Sequence, residues 1–159
     1  MNNINTEPVT PVKEEKPIGW WMQLKGHHIK DFDHFKDLMM GGKAEYKSSQ
    51  VFLFFFMEHC PWCEKFLGQW NALNDEMHRL YGKEKIQFLI INKELREISS
   101  KYHASRFPSI YYVKPDNNAK KGQKFEDQRN YENVLDWMRM KCRMHGAKLI
   151  VDEEEEEDV

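Results

Sequence analysis

Two long apolar runs dominate the middle of the chain. Residues 51–57 read VFLFFFM and Ile86–Asn92 read IQFLIIN, and neither run alternates apolar with polar positions. Strands with this pattern are buried on both faces, as in sheets that carry helices above and below. A third strand is predicted at Ser109–Val113, where a proline and two asparagines follow.

Four segments have the spacing of amphipathic helices. They cover residues 28–40, 61–81, 95–103 and 131–145. Apolar residues of the second segment recur at steps of three and four: Phe66, Trp70, Leu73, Met77 and Leu80. Gly82 is predicted to end that helix, and Asn130 is predicted to cap the last one.

Residues 20–24 and 123–128 are predicted to be edge strands. The resulting order is β α β α β α β β α. The strand–helix–strand order at its start implies parallel pairing through crossover helices. The last two strands are predicted to form a hairpin. We therefore predict an α/β domain over residues 19–148, with a mixed central β-sheet flanked by helices on both faces.

The charge is uneven along the chain. Seven consecutive acids occupy residues 152–158, and without them 24 basic residues face 19 acidic ones. Adjacent like charges repel, so residues 149–159 are predicted to form a disordered acidic tail. Weak calcium binding, or folding back onto bases such as Lys148, are the alternatives. The polar residues 1–18 are predicted to be a disordered leader, and the modest basic excess argues against a nucleic-acid partner.

The composition fits one globular domain, with 159 residues of which 40% are hydrophobic. No apolar run approaches the length of a membrane span, so no membrane association is expected. The first residues lack the apolar stretch of a signal peptide. We therefore expect a cytoplasmic protein if the chain is complete. A trimmed chain would leave the endoplasmic reticulum or another oxidising compartment open.

The main chemical signal is Cys60-Pro61-Trp62-Cys63, at the passage from the first buried strand to a helix. Cys60 is predicted at the N-cap and Pro61 at the first helical position. A helix N-terminus stabilises a thiolate, so Cys60 is predicted to be the nucleophile. Cys63, one turn deeper, is predicted to resolve the mixed disulfide by closing a Cys60–Cys63 disulfide. Trp62 can hardly be buried there and predicts an apolar contact surface.

Zinc binding is the main alternative for these thiols. The chain has three cysteines, and Cys60 and Cys63 could join Cys142 and His145 in a Cys₃His set. The end of the last helix is not expected near Cys60, so we favour a redox pair with no metal. Cys142 lies on the apolar stripe of that helix and is predicted to be a buried, inert thiol.

Together with Phe107-Pro108-Ser109 at the start of a later strand, the Cys60–Cys63 motif resembles the thioredoxin family. It is similar to thioredoxins and to the catalytic domains of protein disulfide isomerases, over about residues 19–146. The resemblance implies a thioredoxin fold in which Pro108 is a cis-proline facing the cysteines. It also implies that the Phe107 backbone pairs with an extended substrate.

The motif departs from the family in its inner residues. Thioredoxins carry Gly-Pro between the cysteines and disulfide isomerases Gly-His, whereas this chain has Pro61-Trp62. His59 stands where the family usually has tryptophan. An imidazolium beside Cys60 would favour the thiolate. His59 and Pro61 are therefore candidate modulators of the thiol, although an exposed histidine without a role is an equal alternative for His59.

A further departure lies six residues before Cys60. The family has a buried Asp or Glu there, which accepts the proton of the deeper thiol, and this chain has Phe54. Water, Glu58 or Glu64 would have to take that proton. The sequence therefore predicts slow resolution of mixed disulfides.

These observations predict a thiol–disulfide oxidoreductase that acts on protein or peptide substrates and needs no cofactor. Trp62, Phe107 and Pro108 are the predicted substrate-binding residues. The resemblance implies a redox partner protein, either a flavin-dependent reductase or a sulfhydryl oxidase, depending on direction. The alternative is a binding or chaperone module on the same scaffold, whose cysteines are secondary or bind zinc.

Overall fold

The chain is folded from five strands and five α-helices within residues 19–115 and 121–152, which the computed structural model describes. The strands are β1 (His27–His28), β2 (Gln50–Phe56), β3 (Ile86–Asn92), β4 (Ser109–Val113) and β5 (Gln123–Lys124). The helices are α1 (Phe32–Met39), α2 (Pro61–Lys65), α3 (Leu67–Tyr81), α4 (Arg96–Lys101) and α5 (Tyr131–Met144). The predicted leader and residues 153–159 of the predicted tail lie outside the described residues.

The sheet is mixed and has β2 at its centre, with the strand order β1-β3-β2-β4-β5. β2 pairs in parallel with β3 and antiparallel with β4. β1 is parallel to β3, and β5 is antiparallel to β4. A parallel neighbour requires a crossover, which α2 and α3 supply between β2 and β3. The predicted mixed central sheet is therefore confirmed.

Side chains alternate across β2 and divide the interior into two cores. The even-numbered residues of this strand pack with buried side chains of α3 and α5. The odd-numbered residues pack with α1 and α4 on the opposite face. Every residue of β2 is buried, as the unbroken apolar run predicted. Helices cover both faces, and none in the described part of the chain combines the length and apolarity needed to cross a bilayer.

The predicted edge strand at residues 20–24 is wrong. Trp20–Gln23 forms a 3₁₀-helix, and the edge strand is β1. The Trp20 and Trp21 rings pack against Phe56, with centroids 5.7 and 6.1 Å away. The Trp20 indole N–H also donates to the Glu58 carbonyl oxygen at 2.8 Å. These contacts hold the segment across the end of β2 rather than alongside the sheet.

The single helix predicted over residues 61–81 is divided into α2 and α3. The N–H of Phe66 is shared between the carbonyl oxygens of Trp62 at 3.2 Å and Cys63 at 3.1 Å. Such bifurcated bonds tighten a helical turn. The Phe66 ring stacks on Phe54 with centroids 6.2 Å apart, so the break keeps the apolar face on the core.

Other element ends differ from the pattern-based bounds. α1 begins at Phe32 rather than at residue 28, since the Asp31 carboxylate accepts the His34 N–H at 2.8 Å and caps the helix. β5 covers two residues rather than six. The Phe125 N–H still donates to the Ile110 carbonyl oxygen at 2.8 Å, and residues 126–128 lie outside the sheet.

Residues 149–152, which the predicted tail included, are described by the structure. The Ile150 N–H donates to the Leu80 carbonyl oxygen at 2.8 Å. Leu149 and Val151 pack, partly buried, against the core on the α3 and α5 side. The packed chain therefore continues past the predicted boundary at residue 148.

The N-cap of α5 provides a test of the helix that covers one core. The Asn130 side-chain oxygen accepts the Asn133 N–H at 2.8 Å, as the sequence predicted for this cap. Asn130→Ala should lower the free energy of unfolding by about 1 kcal/mol, because that N–H loses its partner. Asn130→Ser, which keeps an acceptor, is the control. Equal urea midpoints for the two variants would contradict the capping role.

Candidate active site

Cys60 and Cys63 lie at the carboxyl end of the central strand. Cys60 is the N-cap of α2 and Pro61 is its first residue, as predicted. The Cys63 N–H donates to the Cys60 sulfur at 3.2 Å, so the backbone itself holds that sulfur at the helix terminus. The two cysteines are disulfide-bonded, with their Cα atoms 5.2 Å apart.

A second segment approaches this pair from a distant part of the chain. The Phe107–Pro108 peptide bond is cis, as the resemblance implied. The Phe107 carbonyl oxygen lies 3.7 Å from the Cys60 sulfur, across 47 residues of sequence. The Ser109 hydroxyl donates to the Ser105 carbonyl oxygen at 2.7 Å and anchors the loop that precedes the strand. The structure thus brings both predicted segments to one site.

The two sulfurs differ in their surroundings. Cys63 is fully buried in the core, whereas Cys60 retains 5% of its surface. Trp62, between them, is 68% exposed, as predicted from its position on the first turn. The Lys65 ammonium lies 4.9 Å from the centre of the Trp62 ring. An exposed indole therefore lies in the turn between the two sulfurs, and its role in binding a substrate stays a prediction.

The wall behind the disulfide is aromatic. Phe54 is fully buried and lies 4.5 Å from the Trp70 ring, centre to centre. Neither of the two carboxylates that the sequence offered as substitutes is buried. Glu58 is half-buried and accepts the Asn92 amide N–H at 3.0 Å, and Glu64 is exposed. Among the described residues, no Asp or Glu side chain is buried.

The remaining candidate modulators are on the surface. His59 and Pro61 are both exposed. They flank Cys60 directly in sequence, so their positions are compatible with an influence on its thiol. Their role in tuning the thiolate stays a prediction.

The zinc alternative requires Cys142 and His145 at the same place, and they lie apart from the disulfide. Cys142 is fully buried near the end of α5, and the His145 ring packs against Tyr112 with centroids 4.9 Å apart. Among the described residues, no three His, Cys, Asp or Glu side chains are placed to hold a metal ion. Burial raises the pKa of the Cys142 thiol to about 12.

Sequence reasoning missed one part of the site. A groove bordered by Trp62, which lies between the two cysteines, and by Pro108 is also lined by Gln69, Gln128 and Arg129. The last two residues belong to the loop before α5. No spacing in the sequence links that loop to the cysteines, because only the sheet topology brings it to this edge.

Solved structures share this architecture. The zinc-bound form of human ERp44 has a TM-score of 0.59 at 12% identity, covering 74% of this chain and 32% of that one. The first thioredoxin domain of mouse protein disulfide-isomerase A4 has a TM-score of 0.55 at 15% identity, with 70% and 71% covered. Chloroplastic thioredoxin z has a TM-score of 0.54 at 13% identity, with 74% and 94% covered.

These likenesses show that the chain has the thioredoxin fold. The chain spans about a third of the ERp44 chain that it matches. No protein-family model matches the sequence, and no curated protein matches it either.

The burial of Cys142 predicts that its thiol is unreactive while the protein is folded. In the fully reduced, folded protein at pH 8, Cys142 should resist iodoacetamide. With its pKa near 12, only about one thiol in 10⁴ is ionised at that pH, and the side chain is fully buried. Mass spectrometry should show label on Cys142 only after urea is added, and Cys142→Ser provides the mass control. Labelling of Cys142 in the folded protein would contradict its assignment as inert.

Proposed function

We propose that the chain is a thiol–disulfide oxidoreductase acting on cysteines of proteins or peptides. The observation that carries this proposal is the Cys60–Cys63 disulfide at a helix N-terminus, facing the cis Phe107–Pro108 bond. The thioredoxin fold supports it. No cofactor is required, because the cysteine pair itself carries the two electrons.

Cys60 is the attacking group in this proposal. Its reduced sulfur would accept the Cys63 N–H at the terminus of α2, which favours the thiolate over the thiol. The Cys60 thiolate attacks one sulfur of a substrate disulfide. A Cys60–substrate bond forms, the substrate S–S bond breaks, and the released substrate thiolate takes a proton from water.

Cys63 completes the transfer. Its thiolate attacks the Cys60 sulfur, the mixed disulfide breaks, and the second substrate thiolate leaves. The substrate has then gained two electrons, and the protein is in the disulfide form found in the structure. A dithiol protein must reduce the pair again, and in the reverse direction the Cys60–Cys63 disulfide oxidises a substrate dithiol. When the protein reduces its substrate, the partner that reduces the pair again would be a flavin-dependent reductase. When the protein oxidises its substrate, the partner that restores the disulfide would be a sulfhydryl oxidase.

The substrate is proposed to be an extended segment. Phe107 is half-buried beside Cys60, and its backbone is the proposed pairing partner for a substrate strand. The exposed Trp62 indole would contact apolar parts of that segment, and Pro108, which is buried, would contribute only the small surface that borders the groove.

Trapping the mixed disulfide tests this assignment. Cys63→Ser should accumulate a covalent adduct with a disulfide-bonded peptide, because Cys60 still attacks but nothing resolves the product. Cys60→Ser should form no adduct, and Cys142→Ser should turn over like the parent chain. Non-reducing mass spectrometry identifies the bonded residue.

The double variant Cys60→Ser, Cys63→Ser separates the enzyme from a binding module. If this variant retained the full activity of the parent chain in a client-protein assay, the proposed enzyme function would be wrong. The alternative of a binding or chaperone module would then be favoured.

The aromatic wall predicts a slow second step. Phe54→Glu should speed the release of substrate from the mixed disulfide by about 10²-fold, the low end of what a positioned base contributes. Burial would raise the pKa of that carboxyl toward neutrality and let it accept the Cys63 proton. Phe54→Gln is the matched control, since it has the same size without the base. Stopped-flow release at a temperature where both variants are folded makes the comparison, and equal rates would contradict the prediction.

A further inference from the structure

The groove beside the disulfide is polar and basic on its outer walls. Its volume is about 400 Å³, and its lining residues are Trp62, Lys65, Phe66, Gln69, Pro108, Gln128 and Arg129. No carboxylate lines it. A substrate cysteine that reaches Cys60 brings its neighbouring residues past Trp62 and Pro108, and so into this groove.

Both basic side chains of the groove are available to a ligand. Lys65 and Arg129 are exposed, and neither forms an ion pair within residues 19–115 and 121–152. The Lys65 ammonium lies over the Trp62 ring, 4.9 Å from its centre. That contact places a charge next to the residue between the two cysteines, without neutralising it.

Arg129 is positioned by a hydrogen-bonded turn. The Gln128 N–H donates to the Asp127 carboxylate at 2.7 Å, and the Gln128 carbonyl oxygen accepts the Asn130 N–H at 3.0 Å. The Asn133 amide also donates to that oxygen at 3.1 Å. The backbone on both sides of Arg129 is therefore held, and one oxygen of the nearby Asp127 carboxylate accepts a hydrogen bond within the turn.

The adjoining surface extends the basic character. A second groove shares Gln128 and Arg129 and adds Arg106 and Lys124 against Glu126 and Asp127. Across the two grooves, four bases face two acids. Glu64, exposed on α2, is a further acid nearby. Of the two grooves, the one bordered by Trp62 and Pro108 has two bases and no acid among its lining residues.

We propose that this groove selects substrates whose reactive cysteine is flanked by acidic residues. The proposal rests on the proposed oxidoreductase function and names its substrate class. The guanidinium of Arg129 offers two parallel donors to one carboxylate, and Lys65 offers a point charge to another. At about 3.3 Å per extended residue, acids within three residues of the substrate cysteine lie within reach of the groove.

Three disulfide-bonded peptides test this preference, identical except for two Glu, two Gln or two Lys beside each cysteine. Their kcat/KM for reduction by the pre-reduced protein should fall in the order Glu, Gln, Lys. Exposed pairs are individually weak, so the Glu peptide should exceed the Gln peptide by about fivefold to tenfold at low salt. High salt should remove most of the difference.

Charge reversal assigns the preference to the groove. Lys65→Glu combined with Arg129→Glu should invert the order, so that the Lys peptide becomes the best substrate. The matched control is Lys43→Glu combined with Lys47→Glu, two exposed lysines in the loop before β2, at the end of that strand away from Cys60. This control changes the net charge equally and should keep the parent order.

The outcomes separate the two proposals. If all three peptides are reduced equally in a Cys60-dependent reaction, the acidic preference is wrong and the oxidoreductase function stands. If the order persists in the Lys65 and Arg129 variant, the groove does not select, and the inference is overturned. If the protein reduces none of the peptides while they react normally with dithiothreitol, the proposed function fails.

Discussion

The burial of β2 on both faces is the constraint on which the rest of the structure depends. All its residues are buried, and it pairs with a strand on each side. Such a strand cannot shift by one residue without moving its whole set of aromatic side chains to the opposite core. Its carboxyl end is therefore in a fixed place, and Cys60 starts a helix there. The position of the disulfide is a consequence of packing in the sheet.

The parts predicted from the sequence are those with a local cause. β3 and β4 were predicted with their observed bounds, because continuous apolar runs define them. The N-cap at Cys60 was also predicted, since Pro61 is favoured at the first helical position. The conformation at Trp20 and the helix break at Phe66 were not predicted, because their causes are not local patterns in the sequence. The first is placed by rings packed across the end of β2, and the second by a shared hydrogen bond.

The groove could not be predicted for a similar reason. Lys65 follows the cysteines on α2, but Arg129 comes from a loop between β5 and α5. β5 pairs with β4, which opens with the residues that follow Pro108. Three separated segments therefore meet only after the sheet has formed. A sequence pattern records spacing along the chain, whereas this juxtaposition depends on strand order.

Phe54 connects the stability of the fold with the chemistry of the site. Its ring contacts Phe66 and Trp70, so it joins the central strand to the helices that follow the cysteines. A carboxylate at this position would have to be buried among those rings, which is costly unless it is paired or protonated. The chain has aromatic packing at this position, in the same core cluster as Cys63. In the proposed reaction, a core of this kind would support Cys60 rigidly and leave removal of the Cys63 proton to water. Attack on a substrate and release from it would then be controlled by different parts of the molecule, the first by the helix terminus and the basic groove, the second by solvent access to a buried thiol.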